Sequence, residues 1–151
     1  MTAPRPKAQT AALMASPDDI ETQFYEALQS ADITKLMAVW SDDDDIVCVL
    51  PGGPRVVGPR AIRASFEAVF ANGGIPVRLE KVRRLQHPTA AVHHLLVRVD
   101  VVTDEGTQTA WVIVTNVYLK GDQGWRLVAH HASPGTDREL PELGEIPSVL
   151  H

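Results

Sequence analysis

Two long apolar runs, Ala90 to Thr103 and Thr107 to Leu119, stand either side of Asp104-Glu105-Gly106, and they constrain the fold more than any other feature. Both are rich in Val, Leu and Ile, and a Gly-containing acidic triplet between such runs is a hairpin signal. Each is apolar at nearly every position, which a sheet with one wet face does not require. The second face therefore needs a cover, and a partner subunit is the simplest one. Two further strand patterns flank the pair, at about Ile75 to Gln86 and Trp125 to Ser133, the last after the turn Gly121-Asp122-Gln123-Gly124.

The first half of the chain has helical periodicity instead. Ser16-Pro17-Asp18-Asp19 supplies an N-cap, a first-turn proline and acids ahead of Ile20, Phe24, Ala27, Leu28 and Ala31, which predicts a helix from about Pro17 to Ala31. Asp32 caps a shorter one carrying Ile33, Leu36, Met37 and Trp40. Ile46 to Leu50 reads as a short buried strand closed by Pro51-Gly52-Gly53-Pro54, and a third helix starts after Gly58-Pro59 and stops at Asn72-Gly73-Gly74. Helices followed by long antiparallel strands predict an α+β domain with the helices on one face of the sheet.

A length of 151 residues suits one domain spanning 17–135, with 1–16 as a flexible N-terminal tail and the proline-rich 136–151 as an extended arm. Neither a secretory signal nor an unbroken apolar stretch of membrane-spanning length is expected. A net charge of −5, with basic clusters no larger than Arg83-Arg84 and Arg60 with Arg63, argues against a nucleic-acid surface. Cys48 is the only cysteine, which excludes an internal disulfide or thiolate metal site and points to a reducing cytoplasm. The run Asp42 to Asp45 lacks the alternating ligands of a calcium loop and reads as a solvated helix end. No metal or cofactor is expected.

A three-residue loop at Asp104 to Gly106 would pair Val99 with Trp111, Val97 with Ile113, Leu95 with Thr115 and His93 with Val117. His94 would then face outward. Pairing Leu119 with Trp125 in the next hairpin puts His131 opposite Ile113 and Ser133 opposite Trp111. The alternative register brings in Arg126 and His130 instead, and burial favours His131. The expected pocket face is thus His93, Trp111, Thr115, His131 and Ser133, with Trp40 as a further wall and His131 as the acid or base. For His93 a hydrogen-bonded core role is the simpler reading.

These residues resemble a known group. The passage from Trp40 through Asp42 to Asp45 and on to Gly53, the helix from Gly58 to Phe70, and the closing Trp125, His131 and Ser133 are similar to the NTF2-like superfamily over about residues 17–135. The likeness is to its SnoaL-like and calmodulin-kinase association-domain branches. The resemblance implies a cone-shaped α+β fold and often a homodimer through the outer sheet face. It also implies either an isomerase, cyclase or dehydratase acting on a small hydrophobic or acidic metabolite, or a non-catalytic binding or assembly module. In the ketosteroid isomerases of that superfamily an Asp precedes the proline after the first strand, and a Tyr on the first helix donates to the oxyanion. The matching positions here are Leu50 and Phe24, which disfavours that activity, and Tyr25 is expected to point elsewhere on the helix.

Overall fold

The computed structural model describes residues 16–135. The tail and the arm expected on either side lie outside the described residues. The chain folds as α1 (Pro17–Ser30), α2 (Ile33–Ala38), β1 (Val47–Val49), β2 (Arg55–Val57), α3 (Pro59–Phe70), β3 (Val77–Gln86), β4 (Ala90–Thr103), β5 (Gly106–Gly121) and β6 (Gly124–Pro134). The Ser16 side chain accepts from the Asp19 amide and the Asp32 side chain from Lys35, so both helices begin where their caps predict. α1 ends on Ala31 in the left-handed region, φ 54°, with its amide bonded to the Ala27 carbonyl.

One six-stranded sheet runs in the order β2-β1-β6-β5-β4-β3. β1 lies parallel to β6, and β2, which the sequence pattern does not announce, pairs antiparallel with β1. The three helices cover the concave face. Ile20, Phe24, Leu36, Ile62 and Phe66 are buried against Leu95, Val97, Val114, Tyr118 and Leu127. None of the described helices is long and apolar enough to cross a membrane.

Two local features set which side chains face the helices. The first hairpin turns on Asp104 and Glu105 alone, because Gly106, at φ 106°, already pairs with Thr103. Pairing is therefore one residue off the expected ladder: His93 meets Asn116, His94 meets Thr115, and Arg98 meets Trp111. The second feature is a bulge in β6. Tyr118 pairs with Leu127 but Val117 with Ala129, so Val128 is the extra residue. Trp125 and Leu127 point inward before it, and His130 and Ala132 point inward after it.

Candidate active site on the concave face

The corrected register changes the site. Trp111, Thr115, His131 and Ser133 share the outer face of the sheet, where His131 is exposed and His94 Nδ1 lies 3.1 Å from Thr115 Oγ1. His93 leaves that set for the interior, with His130 beside it in place of His131. The expected common face of His93, Trp111, Thr115, His131 and Ser133 is thus not formed. A one-residue slip reverses a strand's faces, and a bulge reverses them again. Trp40 is buried at the end of α2 and bridges to Leu127. It borders a groove of about 850 Å³ between the Ser41–Val47 segment and the β5–β6 hairpin, away from the concave array.

Asp18, Glu21 and Tyr25 stand at i, i+3 and i+7 on α1, a stripe beside the apolar one, and all three turn toward the sheet. Glu21 is 3% exposed. One of its oxygens, Oε1, lies 2.9 Å from His93 Nδ1, and Oε2 accepts from Arg84 at 2.9 Å. Arg84 of β3 also reaches Asp18 Oδ1 with its Nε, at 3.0 Å. Burial alone would raise the Glu21 carboxyl, but the hydrogen bonds of His93 and Arg84, with the Arg84 charge, outweigh it and hold the group below its ordinary range. The carboxylate therefore fixes the proton of His93 on Nδ1. That leaves Nε2 buried, with no hydrogen-bond partner, 3.7 Å from Asp18 Oδ1.

A second polar group lies deeper. Asn116 Oδ1 sits 2.6 Å from His130 Nδ1, and Asn116 Nδ2 donates to the Tyr25 hydroxyl oxygen at 3.2 Å. His130 is held neutral by burial and by the charge of His131, its pKa pushed down to about 4, so its Nδ1–H donates and fixes which way the amide points. The Tyr25 phenol thus receives a hydrogen from Asn116 and keeps its own to give. Burial first, and then charge (Glu21 for Tyr25, Tyr25 and Glu21 for Tyr118), raises both phenols well above the ordinary range, so both stay protonated. Tyr118 packs against the His93 ring with centroids 4.8 Å apart. Tyr25 thus points inward, contrary to the sequence expectation. Phe24 is a core residue packed against Phe66 and His130.

The arrangement offers a proton acceptor, His93 Nε2, positioned by Glu21, and a hydroxyl donor, Tyr25, set by Asn116. Asp18, Glu21 and His93 also bring three metal-ligand atoms within 4.8 Å of one another. Glu21 spends both oxygens on His93 and Arg84, however, and is not free to act as a ligand. The donor set does not suit a metal ion.

Glu21 and Asn116 escape a sequence reading, and Tyr25 and His130 are weighed there but set facing away from the site. Helix periodicity marks Ile20 and Phe24, but not a polar stripe beside them, and the strand partners depend on the turn and the bulge. The legible signal was the spacing of Asp18, Glu21 and Tyr25.

A model of the SnoaL-like domain matches residues 18–137. Among solved structures, a protein classed as a calcium/calmodulin-dependent protein kinase type II association domain, from Thiobacillus denitrificans, is 28% identical, with 82% of this chain and 98% of that chain covered and a TM-score of 0.73. One classed as a dehydratase of the NTF2-like family, from Streptomyces avermitilis, is 27% identical over 78% of this chain and 91% of that one, with a TM-score of 0.69. A protein with a cystatin-like fold from Caulobacter vibrioides shares 15% identity over 95% and 98% of the two chains, with a TM-score of 0.69, and bears on the fold alone. No curated protein matches. The cone of helices on a curved sheet, expected from the closing strand and the α3 passage, is the fold these structures share, and the chain belongs to the SnoaL-like family.

Proposed function

We propose that this chain is a small-molecule protein of the SnoaL-like kind in which His93, held by Glu21, accepts a proton from a ligand on the concave face of the sheet. Reactions of the isomerase, cyclase or dehydratase class need such an acceptor, together with donors for the oxygen that gains charge. The single observation that carries the reading is the buried Nε2 of His93, which has no partner while Nδ1 is bound to a carboxylate. Buried histidine nitrogens are as a rule hydrogen-bonded, so a bare Nε2 calls for a partner. The outer-face His131 is replaced in this role by His93, and Tyr25 supplies the hydroxyl donor.

Asp18 and Arg84, whose side chains are 60% and 43% exposed, pair with each other on the solvent side of the Glu21–His93 contact. The test is a fragment screen read by amide chemical shifts. Ligands that act on this site shift His93, Asn116 and His130 together. Shifts confined to Thr115, His131 and Ser133 would place binding on the outer face and overturn the reading.

A second reading, compatible with the first, concerns assembly. The outer face carries Leu85, Val102, Ile113 and Leu119, exposed by 60%, 83%, 52% and 47%, beside partly buried Trp111. A face of this kind supports a homodimer through the sheet. Light scattering at micromolar concentration gives twice the chain mass if the reading holds, and Ile113→Lys returns the monomer.

A further inference from the structure

We infer that the concave site takes a protonated primary amine rather than an acid, an inference that rests on the reading of His93 as the ligand contact. Hydrogen-bond polarity is the first argument. With Nδ1–H committed to Glu21, Nε2 presents a lone pair, and Asp18 Oδ1, 3.7 Å from it, is also an acceptor. What the pair lacks is hydrogen. One nitrogen carrying several hydrogens can serve both acceptors, whereas a carboxylate or phosphate would set oxygen against nitrogen lone pair and carboxylate.

Charge gives the same answer. With His93 neutral, as the proton-acceptor reading requires, the two carboxylates Asp18 and Glu21 face one guanidinium, Arg84, and the cluster has one negative charge in excess. Arg84 is not free to hold an anion, because its Nε is bound to Asp18 and its terminal nitrogen to Glu21. An acid would have to break both contacts. The Tyr118 ring, 4.8 Å from the His93 ring, adds an aromatic surface beside the place a cation would occupy. Asp18 sits at the solvent edge of this cluster and Glu21 at its buried end, so an ammonium group would enter head first with its carbon chain directed outward.

The test uses the whole chain with its histidine rings labelled with nitrogen-15, titrated at fixed ionic strength with methylammonium, acetate and ethanol. Methylammonium is expected to shift the His93 Nε2 resonance saturably, and acetate to leave it unmoved over the same range. Asp18→Asn should weaken methylammonium about tenfold or more, the scale of one charge-assisted hydrogen bond. Arg84→Met, which removes the competing cation, should tighten it severalfold. The two variants thus act in opposite directions, and no common loss of structure produces that. Acetate moving Nε2 in place of methylammonium, ethanol matching methylammonium, neither probe moving it, or Arg84→Met weakening binding would each overturn the inference. The proton-acceptor reading is judged separately, by the tautomer of His93 before any probe is added.

Discussion

Replacing Glu21 with Gln tests the positioning of His93 through stability, without knowledge of a substrate. The wild-type carboxylate is almost fully buried and makes two charge-assisted bonds, to His93 Nδ1 and to Arg84. Each such bond is worth about 1.5 to 3 kcal/mol when buried. The Arg84 partner is 43% exposed and can turn to water, so its share is discounted to well under 1 kcal/mol. Glutamine keeps a neutral acceptor for His93, worth about 1 kcal/mol. The net loss is about 1 to 2 kcal/mol at neutral pH, or about 4 to 8 °C in melting temperature for a domain of this size. The folded carboxyl lies below its unfolded value, so its stabilisation is complete above the unfolded value of about 4.3 and is lost as pH falls through the folded one. Thermal unfolding followed by circular dichroism should therefore show a wild-type advantage that is widest at pH 7 and closes in the acid range, where the protonated Glu21 resembles Gln. An advantage that persisted unchanged to low pH, or a variant as stable as wild type at neutrality, would refute the argument.

Other consequences follow from single residues. His130 is buried neutral, with its folded pKa near 4 against an unfolded value of about 6.5, so the stability it contributes is whole above about pH 6.5 and lost progressively toward pH 4; denaturant midpoints across that window should flatten in His130→Gln. Gly74 packs against the backbone of α1, where an added Cβ would overlap the Gln29 carbonyl, so Gly74→Ala should lower the denaturant stability by about 1 to 3 kcal/mol. Ala31 caps α1 at φ 54°, and Ala31→Gly should raise the melting temperature slightly, by about 0.5 to 1 kcal/mol of stability, because glycine adopts that region without a Cβ penalty.

The elements were legible because their signals are local. Ser16, Asp32 and Gly58-Pro59 start the three helices where the sequence places them, and β4 occupies the residues its apolar run occupies. What the sequence could not supply is the facing of side chains across β5 and β6. That depends on whether Gly106 belongs to the turn or to the strand, and on one extra residue at Val128. Neither leaves a periodic trace, and each reverses the faces of everything beyond it. Phe24 packs among aromatic rings and Leu50 closes a turn through its carbonyl to Gly53. Tyr25 was passed over because one residue along a helix turns a side chain only part of the way round, and α1 is enclosed widely enough to bury both Phe24 and Tyr25.

The central claim is the state of one imidazole. Long-range nitrogen-15 correlation of the histidine rings in the ligand-free protein at pH 8 should show His93 as the Nδ1–H tautomer, with Nε2 bare, and Glu21→Gln should disturb that pattern more than any substitution at His131. A His93 that carries its proton on Nε2 would contradict the account, because Nε2 could then take no proton from a ligand.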